Sequence, residues 1–372
     1  MKIDAITKDY LSDNAIFSDV FNCYVYGGKQ VIQPEQLEER DSTAITIPYG
    51  SDGAALPIQK YRDVQKIYKM STNKRLEYIL YSAESQAEIH YAAPVKNNLY
   101  DAIDYAGQAE EAAKSHRKAM KEKTAERKPN AGEFLSGFWK SDRLIPSITV
   151  MIYFGAEKWD GPLSLFEMMD VEDPEILQFM NDYKINLIAP AQMADEEIMK
   201  FQSSLREVLL FIKYSKDKEN LNRIMQANEK RFREVERRAA DVIKAVTNVD
   251  LQYEESEVEV DMCQAWQDMQ MESRLKQAVE DAKNLYKLGV DVDKIAQGIG
   301  WDVETVKGWV IYSGESQSKE LIYSIEQEIK EKSKIERETK FILNMYQKGY
   351  TLEEIADVAE KTVEEVKTIL GK

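Results

Sequence analysis

Asp63, Glu84 and Gln86 are the residues whose types and spacing could do chemistry in this chain. A divalent magnesium ion takes hard oxygen ligands and keeps several waters, so two carboxylates plus a substrate phosphate make a sufficient site. Glu84 and Gln86 stand two positions apart, and on a β-strand that spacing sends both side chains to the same face. The amide of Gln86 could then orient an attacking water beside the carboxylate. An Asp and a Glu at such a separation also occur in almost any chain, and solvated strand ends are the competing explanation.

The elements that must position these residues are legible around them. "YRDVQKIYKM" (61 to 70) and "LEYILYSAE" (76 to 84), separated by the polar "STNKR", predict two strands joined by a hairpin. Asp63 opens one strand and Glu84 closes the other, so antiparallel pairing brings both carboxylates to one end of a sheet. Upstream, Ile16, Phe17, Val20, Phe21 and Tyr24 recur at helical intervals before Gly27 and Gly28, which predicts a helix. Downstream, Pro94 to Lys123 reads as a long helix with Val95, Leu99, Ile103 and Ala106 on its apolar face. Residues 144–155 and 183–190 read as buried strands. Beyond Asp195 the periodicity is helical, with Leu205, Val208, Leu209 and Ile212 on one face. This order of elements predicts an α/β fold over residues 1–249.

Residues 250–275 form an acidic linker or helix, and 276–372 hold an internal repeat. "NLYKLGVDVDKIAQGIGWDVETVKGWV" (284 to 310) aligns without a gap on "NMYQKGYTLEEIADVAEKTVEEVKTIL" (344 to 370). Each copy is like a small helix-turn-helix unit, and a charged helix joins them. The C-terminal region is thus expected to be all-α. Its third helices carry Asp302, Glu304, Glu364 and Glu365 against Lys307 and Lys367, a balance that would repel phosphate. Val303, Val306, Trp309 and Val310 make an apolar face larger than a tiny unit easily hides. Homo-oligomerisation through the repeats is the expectation that follows.

Composition narrows the chemistry. The 372 residues carry a formal net charge of −16, two histidines and two cysteines. Multi-histidine zinc sites, histidine-dependent nucleases and disulfide frameworks are poorly supported by those counts. The spacing of Cys23 and Cys263 fits a reducing compartment, and with no membrane-length apolar run or apolar leader the expected location is cytoplasmic. Affinity for DNA comes largely from neutralised phosphates, so an acidic chain that binds it needs local basic surface. Lys114, Arg117, Lys118 and Lys121 supply such a patch on the long helix.

"IFSDVFNCYVYGG", "PIQKYRDV", "YILYSAESQAEIHYAAPVKNNLYDAIDYAGQAEEAAKSHRK", "RLIPSITVMIYFGAEKWDGPLSL", "YKINLIAP" and "LREVLLFIKYSKDKE" together resemble the recombination-promoting nuclease / putative transposase family, a branch of the PD-(D/E)xK nucleases. The resemblance covers residues 5 to 245. It implies a restriction-endonuclease-like core, a mixed sheet flanked by helices, and a Mg2+-dependent (Mn2+ also serving) DNA endonuclease that promotes recombination or DNA mobility. Asp63 and Glu84 would be metal ligands, Asp19 an additional acidic group, and Gln86 the position where most of the superfamily carries lysine. Glutamine there offers only neutral hydrogen bonds. Gln108, after Tyr105 on the long helix, could meet a nucleotide phosphate or the metal's water, with a solvent-facing residue the competing explanation. Ala83 and Ser85 depart from the bulkier or more polar neighbours expected around the glutamate, which keeps open a non-catalytic DNA-binding or scaffold protein on the same fold.

Overall fold

The computed structural model describes residues 3–40, 43–46, 58–61, 63–71, 76–171, 173–254, 257–311, 335, 339, 342–343, 345–346, 350–359 and 361–370. The hairpin turn at 72–75 and most of the charged helix between the repeats lie outside the described residues. Two compact units result, residues 1–250 with 254–263, and residues 251–253 with 264–372.

The first unit is built on a five-stranded mixed sheet in the order β1 (Leu37–Glu39), β4 (Val64–Ser71), β5 (Leu76–Gln86), β6 (Ser147–Tyr153) and β7 (Asn186–Ile188). β2 (Thr43–Thr46) and β3 (Ile58–Tyr61) form a separate antiparallel pair. β4 and β5 are antiparallel with Val64 opposite Ala83, the expected hairpin. β5 and β6 run parallel with Glu84 opposite Met151 and Gln86 opposite Tyr153. A parallel pair needs a crossover, and α3 (Ala93–Glu122) with α4 (Ala131–Ser136) supplies it.

Helices cover both faces of β5, because its side chains alternate. On one face Tyr81 packs on Phe21 of α2 (Asn14–Tyr24), with ring centroids 4.4 Å apart, and Ser85 meets Thr7 of α1 (Ile3–Ser12). The caps agree with the sequence: Asp13 starts α2 by accepting from the backbone N–H of Ala15 and Ile16. On the other face lies α3, whose Asp101 and Asp104 bond Thr149 and Ser147 of β6.

The inward face of α3 differs from the one periodicity predicts. Of that face Ile103 is buried, but Val95 and Leu99 are 48% and 39% exposed, and Ala93, Asn97 and Tyr100 are buried instead. The apolar rule fails here because this helix lies on a polar sheet surface of Ser82, Glu84 and Thr149, all buried. Past α3 the chain returns through Gly137, whose φ is +72° and where a Cβ would come within 2.6 Å of Ala113 Cβ. Only glycine fits so close a left-handed turn. It lets Trp139 stack on His116, with Asp142 accepting from that ring at 2.9 Å. Trp139 is buried, whereas Phe134 is exposed.

Two further differences concern the C-terminal half. The acidic stretch is partly structured, since Glu259–Val260 pairs antiparallel with Val235–Glu236. Immediately after it a single helix, α7 (Met262–Lys287, numbered after α5 (Leu205–Tyr214) and α6 (Arg237–Thr247)), runs through the expected linker. Within the second unit Leu275, Val279 and Ala282 of α7 pack on Ile295 of α8 (Val292–Ile299) and on Val306, Trp309 and Val310 of α9 (Val303–Val310). The apolar face that suggested self-association is therefore covered within the unit. Of the two expected forms, linker or helix, the helix is present from Met262, and its apolar residues are diluted among charged ones. In the second copy Val366 of α11 (Val363–Ile369) packs with Ile342 and with Ile355 of α10 (Leu352–Val358).

Candidate functional site

β5 carries its carboxylate deep into the first unit. Glu84 is 1% exposed, and Oε2 lies 3.2 Å from Nζ of Lys96 in the first turn of α3. A carboxylate so withdrawn from water stays ionised only beside a cation and hydrogen-bond donors. Lys96 is 24% exposed, so it reaches inward from the rim, its stem passing the Tyr100 ring.

Continuing the β4–β5 register by one residue sets Asp63 opposite Glu84, at the same end of the sheet. Asp63 is already in a bend, so the pleat alternation no longer fixes its side chain. Its Oδ2 accepts from Ser85 N at 2.8 Å and Ser85 Oγ at 3.2 Å, and Ser85 Oγ also accepts from Thr7. Asp63 is thereby tied towards the α1 layer, whereas Glu84 faces α3. Gln86, on the Glu84 face, donates from Nε2 to the backbone carbonyl of Ser85 at 2.8 Å.

The same face of the sheet holds a run of polar contacts. Gln65 donates to Ser82 Oγ at 3.2 Å and to Asp104 at 3.0 Å. Asp101 accepts from Thr149 at 2.8 Å and from the Tyr183 hydroxyl at 2.6 Å. Asn97 sits in this layer at 1% exposure, and neither atom of its amide has a hydrogen-bond partner among the described residues. Leaving such a group buried and unmet costs about 1–3 kcal/mol. Sequence periodicity gave no sign of Asn97 or Lys96, because polar residues on a helix are ordinarily assigned to its wet side. The available signal was the polar stripe Asn97, Asp101 and Asp104, at spacings of four and three.

Other expected site residues are placed elsewhere. Asp19 is buried on α2, where Oδ2 accepts from Gln202 N, Ser203 N and Ser203 Oγ at 2.6 to 2.9 Å, and Oδ1 accepts from Cys23. Those bonds fasten the start of α5 to α2. Gln108 grips the backbone of Ile145 with both ends of its amide, at 2.7 and 3.1 Å, and so fixes the entry to β6. Lys114, Lys118 and Lys121 are exposed on α3, and Arg117 pairs with Glu110 at 2.8 Å. His90 accepts from Ala92 N just ahead of α3.

For a metal, Glu84 and Asp63 offer the hard-oxygen donors that a divalent cation prefers, and the buried charge of Glu84 already draws a cation to it. Among the described residues no group of three or more His, Cys, Asp or Glu side chains is arranged to hold a metal ion. Asp63 is engaged by Ser85 on the α1 side and Glu84 by Lys96 on the α3 side, so the two carboxylates are not directed at one point.

No helix among the described residues is long and apolar enough to cross a membrane. No curated protein and no solved structure matches the chain. Residues 136–242, from the end of α4 into α6, match the family described as "Putative transposase, YhgA-like". Asp63, Glu84, Lys96 and Asn97 precede the matched stretch, which contains β6 and β7, the strands that pack beside them. Over residues 136–242 the chain is thus similar to the putative transposase family, a match that covers less than a third of its length.

Proposed function

We propose that the protein is a metal-dependent DNA endonuclease of the PD-(D/E)xK kind, acting in DNA mobility or recombination. The observation that carries this reading is Glu84, an ionisable group buried at the end of the central strand with Asp63 opposite it in register and Lys96 against it. Such a constellation is costly to fold and marks a functional site more often than a structural one. The similarity of residues 136–242 to a putative transposase family supports DNA as the substrate class.

A Mg2+ or Mn2+ ion held by Asp63 and Glu84 would polarise the scissile phosphate and acidify a bound water. Glu84 presents its carboxyl group from a rigid strand in a buried setting. Gln86 is free to exchange its bond to the Ser85 carbonyl for one to the attacking water. Water adds to phosphorus, one P–O bond to sugar breaks, and the leaving oxygen takes up a proton. Exposed Lys114, Lys118 and Lys121 lie along α3, where they would meet flanking backbone phosphates.

The test is nicking of supercoiled plasmid by purified wild type, Glu84→Gln and Asp63→Asn, each with Mg2+, Mn2+ or EDTA. Wild type should cut only with a divalent ion, and each variant should lose at least about a hundredfold in rate. Metal-independent cutting, or equal cutting by Glu84→Gln, would sink the hydrolase reading. One observation favours a second reading, a non-catalytic DNA-binding protein: Asp63 is engaged by Ser85 rather than turned beside Glu84. DNA binding without cutting by wild type would select it.

A further inference from the structure

We propose that Lys96 and Asn97 form the phosphate-binding half of the site, a role that rests on the chain acting on DNA as argued above. Helical spacing fixes where Asn97 stands. One turn before it Ala93 packs on Met151 and Tyr153, and one turn after it Asp101 bonds Thr149. Asn97 therefore lies over the middle of β6, beside Met151, whose ladder partner is Glu84. Lys96, the preceding residue, reaches Glu84 itself. Lys96 thus brings a charge to the buried carboxylate, and its neighbour on the helix brings an amide that is wholly buried and unmet among the described residues.

A phosphodiester answers both needs. Its non-bridging oxygens accept from the Asn97 Nδ2 and from an ammonium, and a nucleotide's sugar or base edge offers a donor to Asn97 Oδ1. Lys96 has a flexible four-carbon stem and partial exposure, so it can hold Glu84 before substrate arrives and turn to a phosphate oxygen afterwards. This gives the site the cation that Gln86 cannot supply from the strand. Lys96 does so from the helix, twelve positions after Glu84 in the chain.

The experiment uses full-length protein and a fluorescein-labelled 30-base-pair duplex. Wild type, Asn97→Leu, Lys96→Gln and Lys96→Arg are compared by fluorescence anisotropy in EDTA and by thermal melting, and then by single-turnover cutting with Mg2+. Leucine replaces the unmet amide with an apolar group of similar size, so Asn97→Leu should raise the melting midpoint while weakening DNA affinity severalfold. Lys96→Gln should weaken affinity roughly tenfold, and Lys96→Arg should retain most of it. A lower midpoint for Asn97→Leu would mean that the amide serves the fold, and an unchanged affinity in Asn97→Leu and Lys96→Gln would mean that neither residue meets phosphate. Either result overturns the proposal. The hydrolase reading is judged separately: wild type that binds DNA through these residues but never cuts it leaves the phosphate site standing and removes the nuclease.

Discussion

Two buried asparagines sit on opposite faces of the same sheet and are treated in opposite ways. Asn22, at 0% exposure on α2, spends its whole amide on the fold: Oδ1 accepts from Val31 N and Ile32 N, and Nδ2 donates to Ile32 O and Gln30 Oε1. Asn97, at 1%, makes no such bond among the described residues. The α1–α2 face repeats the first pattern. Lys66 there donates to Ser12 O and Asn14 Oδ1, and Asp19 accepts three bonds from the Gln202–Ser203 segment. One face is finished by its own backbone. The other keeps a hydrogen-bonding group unspent next to a buried charge.

The contrast is easiest to break at Asn22. Replacing it with leucine strips partners from Val31 N and from the buried Ile32 N and O, and should cost about 3 kcal/mol in urea unfolding. A loss below about 1 kcal/mol would show that burial alone does not distinguish the two sites. The charged pairs sharpen the same point. Glu207 is buried and held by Arg231 through bonds of 2.7 and 2.8 Å and by Arg206 at 3.1 Å. Glu207→Gln should destabilise by about 2 kcal/mol, discounted for the partial exposure of Arg231. An unchanged unfolding midpoint would show that this carboxylate is not held for the fold.

A smaller effect is expected in acid. Burial works to raise the Asp195 carboxyl, but hydrogen bonds from Lys213 at 2.6 Å and Tyr214 at 2.8 Å outweigh it and hold the group below the usual range. A depressed folded value means that this stabilisation is present above the unfolded value of about 3.9 and is lost as pH falls through the folded one. Asp195→Asn should therefore flatten the dependence of the melting midpoint on pH below about 4, and parallel curves would refute the assignment. Smallest of all, burial pushes the Cys263 thiol up to about 11, so in native protein at pH 8 it should react with iodoacetamide several times more slowly than after unfolding. Equal rates would show an accessible thiolate.

Much of this architecture could be read from residue order. Alternation through Val64–Ser71 and Leu76–Gln86 identified the hairpin, and it set Asp63 opposite Glu84 because antiparallel register leaves little freedom. The long helix was legible from its length and lack of breakers, but its orientation was not: Val95 and Leu99 marked the wet side, and Asn97 with Tyr100 the dry one. Hydrophobic periodicity locates a core only where the opposing surface is apolar. Here the opposing surface is Ser82, Glu84 and Thr149, so the rule fails where local sequence and fold disagree, which is where function is usually found. The part played by α7 was hidden for a different reason, since a helix shared between apolar contacts and solvent shows little periodic contrast.

The parallel pairing of β5 with β6 also sets a timetable. Lys96 and Asn97 follow Glu84 closely, but Met151 arrives only after the whole α3–α4 crossover, and the Asp19 clamp on Ser203 spans 184 positions. Contacts that close long loops form late in folding. A chain emerging from the ribosome therefore carries its acidic and basic site residues well before it has a closed sheet to hold them. Chains that stop before Ser203 therefore lack the clamp that closes on Asp19.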